Sequence, residues 1–146
     1  MSVSWKRSFT IGILEIDNQH RELFSRLDAL EIALQGGKGG DLLIDTFRFL
    51  DNYVRRHFRA EEELQQLYHY PHLAMHASEH QTFIGRLTEL ESRLTAEGPS
   101  EKLAAHTNNF LTQWLISHVT TVDKQLAGYI DQARTRQWEQ WLVSHF

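Results

Sequence analysis

The sequence predicts an all-α domain: an antiparallel up-down-up-down four-helix bundle with an N-terminal arm and a C-terminal helical extension. Three observations predict it. Apolar residues recur at spacings of three and four along four long stretches. Both prolines and the one dense glycine cluster fall between those stretches. No stretch alternates apolar and polar residues for long enough to make a strand. Connections of only a few residues force successive helices to run antiparallel.

Residues 1–16 hold Trp5, Phe9, Ile11, Ile13 and Ile16 without helical period, and are expected to form an ordered arm lying on the core. Asp17 suits a helix N-cap, after which Leu23, Phe24, Leu27, Leu30 and Leu34 follow the helical period. Gly36-Gly37-Lys38-Gly39-Gly40 breaks that helix. A second helix opens near Asp41, aligns Leu43, Phe47, Leu50, Val54, His57, Glu61 and Leu64, and stops around Tyr68–Pro71. Pro71 fits the first turn of a third helix, whose stripe is Leu73, His76, His80, Phe83, Leu87, Leu90 and Leu94. After Gly98-Pro99-Ser100 the fourth carries Leu103, Thr107, Phe110, Leu111, Trp114, His118 and Val122, and continues to about Ile130.

Residues 1–130 thus account for the bundle, and 131–146 are an extension with Trp138, Trp141, Leu142 and Phe146 at roughly helical spacing. The expected place of this segment is against its own bundle. The alternative is a protein partner or self-association through Trp138 and Trp141, because exposed tryptophan is seldom idle.

The chain has 146 residues, enough for one domain with its own core. A net charge of −4 with no basic block argues against a nucleic-acid groove or an anionic membrane surface. No long uncharged apolar run and no signal-peptide pattern occurs, so the expected location is cytoplasmic. Cysteine is absent, so any metal must be held by nitrogen and oxygen.

The chain has nine histidines, and several sit inside the apolar stripes. His57 and Glu61 are four residues apart, as are His76 and His80, so each pair shares a helix face. One histidine on such a face is ordinarily a hydrogen-bonded core residue. Several together are costly to bury unless they are paired or bind a metal. Residues on antiparallel neighbours share a level when their sequence midpoint falls in the connecting turn. The midpoint of His20 and His57 lies in the glycine cluster, that of Glu61 and His80 in the Tyr70–Pro71 turn, and that of His80 and His118 at Pro99. One layer therefore gathers histidines from all four helices. Asp123 is the loose member. Five residues beyond His118, it points about 140° away on a regular helix, and converges only through a π-type turn or a flanking approach.

Five imidazoles and two carboxylates exceed the four ligands of a zinc site and suit two first-row ions, with iron fitting the mixed nitrogen and oxygen set. Bridging by both carboxylates and one oxo or hydroxo group would leave a single octahedral position open. Imidazole predominates over carboxylate, and the flanking Leu23, Phe24, Phe58, Trp114, Leu115 and Val119 are mostly apolar. Both features favour reversible binding of a small molecule over catalysis.

These residues resemble the hemerythrin family, over about residues 5–130. The resemblance is carried by Ile16-Asp17-Asn18-Gln19-His20, His57-Phe58-x-x-Glu61-Glu62, His76-x-x-x-His80 and Trp114-Leu115-x-x-His118-x-x-x-x-Asp123. It implies two iron ions per chain, oxo- or hydroxo-bridged. His76, His80 and His118 would hold the saturated iron and His20 and His57 the open one, with Glu61 and Asp123 bridging. Dioxygen would be bound reversibly, without enzymatic turnover, beside Leu115 and Val119. Sensing through a partner, nitric oxide handling and a di-iron peroxidase or oxidase are the alternatives. A competing motif is His76-x-x-Glu79-His80, the pattern of an inverted zinc-peptidase site with Glu79 as base, which leaves His20, His57, Glu61 and His118 unexplained.

Overall fold

The computed structural model describes residues 5–146. Four long helices run up and down as expected: α1 (Leu14–Gln35), α2 (Gly39–Leu67), α3 (Leu73–Glu97) and α4 (Glu101–His118). A five-residue π turn, Val119–Asp123, joins α4 to α5 (Lys124–His145) without breaking the rod. Among the described residues there is no strand. Ser100 caps α4, its Oγ accepting from the Leu103 amide at 3.0 Å.

The arm is ordered through aromatic packing. A short 3₁₀ turn at Arg7–Phe9 buries Phe9, whose ring stacks on Phe24 at 4.6 Å while Trp5 meets both edge-on. Asp17 is not the N-cap of α1. The helix starts three residues earlier, and the Asp17 carboxylate reaches back to accept from the amides of Ile11 (2.8 Å) and Gly12 (3.1 Å). Gly12 has φ of 89°, a left-handed conformation that turns the arm within reach of that carboxylate. Asp17 thus secures the arm to the first turn.

Pro71 also lies outside the helix it was expected to open. His72 flanks the start of α3, and the Leu73 amide donates to the Tyr70 carbonyl, so Pro71 belongs to the preceding turn. In α2 the buried residue after Glu61 is Gln65, with Leu64 only partly covered.

Two apolar clusters fill the bundle. The larger runs from Phe9 and Leu23 through Phe58, Phe83, Leu111 and Leu115 to Leu30 and Leu103. The smaller joins Ile13, Ile16, Tyr70, Leu126, Ala127 and Ile130 at the end holding the α2–α3 turn. Along α1, α2 and the α4–α5 rod, the histidine layer lies between residues of the two clusters.

The extension departs from the expected packing. α5 remains helical to His145, but it does not fold back on the bundle. Arg134 makes the last tie, its Nε donating to the Tyr68 hydroxyl at 3.0 Å. From Thr135 onward every side chain is exposed except that of Leu142, which is partly covered.

Candidate metal centre

Each helix delivers its part of the layer from a buried face. α1 supplies His20, α2 His57 and Glu61, α3 His76 and His80, and α4 His118 at its last turn. Asp123 closes the π turn and is fully buried. The wide turn is what brings it back over His118: Asp123 Oδ1 lies 3.2 Å from His118 Nε2. Thr120 and Thr121 donate their hydroxyls to the carbonyls of Ile116 and Ser117, each at 2.6 Å, and so compete with the regular α-helical bonds there.

All five imidazoles turn Nε2 inward, and the two carboxylates divide their oxygens between them. Glu61 Oε1 faces His20 (3.3 Å) and His57 (3.0 Å). Its Oε2 faces His76 (3.2 Å), His80 (3.1 Å) and, further off, His118 (3.9 Å). Asp123 repeats the division, with Oδ2 at 3.1 Å from His20 and Oδ1 at 3.1 Å from His76. Two ligand sets result, Glu61 with His76, His80 and His118, and Glu61 with His20, His57 and Asp123. In each, the donor atoms lie within 4.8 Å of one another.

This donor set fits cations. Glu61 Oε2 and both Asp123 oxygens are buried without a well-formed hydrogen bond, although imidazole nitrogens crowd them. His118 Nε2 stands 3.1 Å from His76 Nε2 and 3.2 Å from His80 Nε2. Three lone-pair atoms aimed at one another are reconciled by a shared positive charge, whether protons or a metal. Without metal, protons serve. Burial depresses the His20, His76 and His118 imidazoles, yet their contacts with Asp123 and Glu61 outweigh it and raise them to about 9, 9 and 10. Burial pushes the Glu61 carboxyl up, but the surrounding histidines bring it well below the usual range, and Asp123 behaves alike.

Outer partners fix the rings. Gln19 Oε1 lies 2.6 Å from His57 Nδ1, and the buried Gln65 amide 2.9 Å from His76 Nδ1. Glu62 lies 3.3 Å from His80 Nδ1, whereas Glu79, 3.9 Å from His118 Nδ1, is beyond hydrogen-bond reach. Gln19 and Glu62 present oxygens, so the Nδ1–H of His57 and His80 donates and leaves Nε2 free for a metal, whereas Gln65 donates its amide to His76 Nδ1. Gln19, Gln65 and Glu62 lie outside the ligand set that the sequence predicts. For Gln65 the signal was present: it continues the four-residue spacing of His57 and Glu61 as a polar side chain on a buried face. Glu79 approaches the outward nitrogen of His118 instead of the space between the Nε2 atoms, so it is not placed as the base of a zinc peptidase. His69, His72, His106 and His145 are exposed.

A cavity of about 20 Å³ adjoins the layer, enough for one molecule near the size of water. Leu23, Phe58, Trp114 and Leu115 line it, together with Leu27, Leu50, Val54, Phe83 and Leu111 deeper in the bundle. Phe24 and Val119 are buried outside that lining. Phe58 stacks on the His80 ring at 3.8 Å and Trp114 on the His118 ring at 4.3 Å, so two aromatic plates separate the cavity from those two imidazoles.

Residues 12–130 match the family model described as Hemerythrin HHE cation binding domain. The chain belongs to the hemerythrin family. Curated relatives agree over most of the length. Bacteriohemerythrin of Stenotrophomonas maltophilia is 31% identical over 94% of this chain and 91% of its own. Bacteriohemerythrin of Pseudomonas aeruginosa is 31% identical over 89% of this chain and 80% of its own. That of Methylococcus capsulatus is 33% identical over 74% of this chain and 80% of its own. The hemerythrin match ends at residue 130, before the exposed part of α5. Among the described residues no helix is long and apolar enough to cross a membrane.

Proposed function

We propose that this hemerythrin-family protein binds dioxygen reversibly at a non-haem di-iron centre and serves oxygen storage, transport or delivery. The observation that carries the reading is the division of each carboxylate. Glu61 and Asp123 each present one oxygen toward His20 and the other toward the α3 and α4 histidines, as two bridging ligands must. His76, His80 and His118 would hold one iron, and His20 and His57 the other. Bound iron supplies the electrons and the vacant coordination position that dioxygen uptake requires.

The protein's own groups favour a carrier over an oxidase. The cavity lining is apolar, which excludes water and keeps free protons from a bound ligand. Burial raises the Tyr70 phenol, and the negative charge of Asp123 raises it further, so it holds its proton and is a poor acid. The outer carboxylates Glu62 and Glu79 lie behind the rings of His80 and His118.

Anaerobic loading with ferrous iron followed by exposure to air tests the proposal. The expected result is two irons per chain and a visible charge-transfer band that appears with air and fades on deoxygenation. Irreversible oxidation without such a band would overturn it. Sensing of oxygen or nitric oxide is the second reading, favoured by one observation: Asp123 directly precedes α5, which carries the exposed aromatic segment. A change in the exposure of Trp138 or Trp141 on oxygenation is its test.

A further inference from the structure

We propose that Arg134–His145 is a self-association surface, on which a second copy of this chain packs its own α5 antiparallel to the first. Beyond Arg134 the helix runs on for about 17 Å at the standard rise per residue. Its aromatic side chains gather on one side. Trp138 and Trp141 stack at 5.1 Å, His145 stacks on Trp141 at 4.3 Å, and Phe146 meets Trp141 edge-on. Trp138, Trp141, Leu142 and His145 follow the 3-4-7 spacing of a helix–helix seam.

Three arguments select a second copy as the occupant. The first is area. Trp138 is 58% exposed and Trp141 44%. At about 150–250 Å² per aromatic side chain, covering those exposed parts on two copies buries on the order of 400 Å². His145, the partly covered Leu142 and the stems of the exposed residues between them extend that patch toward the roughly 1,000 Å² of a specific interface. The second is charge. Arg134–His145 carries two bases, Arg134, which is held by the Tyr68 hydroxyl, and Arg136, against one acid, Glu139, on a chain of net charge −4. So sparsely charged a segment suits its own copy, whereas an anionic lipid surface requires a strongly basic polar face.

The third is geometry. A twofold axis between Trp138 and Trp141 sets Trp138 opposite the second copy's Trp141, and Arg134 opposite its His145. The overlap then ends where Tyr68 ties α5 to the bundle, so neither bundle obstructs the other. The pairing also gives three helical turns the tertiary packing that short helices need.

Sedimentation of the iron-loaded full chain from low to high micromolar concentration tests the proposal. The expected result is a monomer–dimer equilibrium whose dissociation constant rises roughly tenfold or more in the double variant Trp138→Ala, Trp141→Ala. Helicity and iron content should be unchanged, since neither residue touches the bundle core. A monomer at all concentrations would overturn the proposal, as would a dimer that the double variant leaves intact. Flotation of a monomeric wild-type chain with phosphatidylcholine–phosphatidylserine vesicles, lost in the variant, would also overturn it and reassign the surface to lipid.

Discussion

Asp123 Oδ1 lies 3.2 Å from His118 Nε2 although the two residues are five apart on one continuous rod. A regular α-helix would turn them about 140° from each other. The π turn between them acts as one inserted residue, which makes its effect on the layer testable by changing chain length.

Deleting the exposed Thr121 should restore an α-helical turn with His118 and the carboxylate four apart, still on one face. Inserting an alanine after Thr121 should swing the carboxylate off the layer. The expected outcome is iron binding retained in the deletion and weakened by an order of magnitude or more in the insertion. Calorimetric titration with ferrous iron under anaerobic conditions measures both.

Single-ligand variants should separate the two proposed irons by stoichiometry. His57→Ala removes a group from one ligand set and should lower the content toward one iron per chain. His118→Ala removes a group from the other set and should do the same. Glu61→Ala removes the residue common to both sets and should abolish stable loading of either. Metal analysis after gel filtration gives the counts, and a His118→Ala chain that retains both irons would contradict the assignment.

The outer amides should matter less than the ligands, but measurably. Gln19→Ala and Gln65→Ala each remove a group that holds a ligand ring in place. Affinity should fall about 10–100-fold while saturating iron still gives wild-type stoichiometry. Competition with a chromophoric chelator reads the affinity.

The metal-free chain should show a definite pH dependence. His20, His76 and His118 are raised from the ordinary 6.5 to about 9, 9 and 10, so between those limits the folded state holds more protons than the unfolded one. Their stabilising contribution is complete below about 6.5 and is lost as pH rises through 9 to 10. The lowered carboxyls of Glu61 and Asp123 contribute above about pH 4 and lose that contribution on acidification. Melting temperature should therefore peak in mildly acidic solution and decline toward pH 10. Iron displaces the same protons, so its affinity should rise with pH over that window. A metal-free melting temperature climbing from pH 7 to 10 would contradict the assignment.

The bundle was legible because the apolar period and the glycine and proline breaks agreed at the three connections between α1 and α4. The layer was legible because midpoints in the turns fix levels whatever the details of packing, and His20, His57, Glu61, His76, His80 and His118 do meet. Asp123 was only half legible: spacing states the problem, while the Thr120 and Thr121 hydroxyls that favour a wide turn act through local contacts no periodicity records. Asp17 misled for a related reason. It is a residue suited to capping, yet its carboxylate is engaged by amides of the arm upstream, and the helix begins before it. The helical spacing of the aromatics in the extension suggests packing against the bundle, which the structure does not show. That spacing describes one face of a helix without saying what lies across from it.

The layer of five imidazoles and two carboxylates sits between two unequal apolar clusters, and this makes it a registration mark for assembly. Sliding any helix by one turn, about 5.4 Å, would drive Glu61 or Asp123 against leucine and leave imidazoles without their counter-charges. Apolar seams tolerate such slippage, because one leucine replaces another at modest cost. A buried polar stratum does not, so the groups that await the metal also define a single alignment in which four interchangeable-looking amphipathic rods can close.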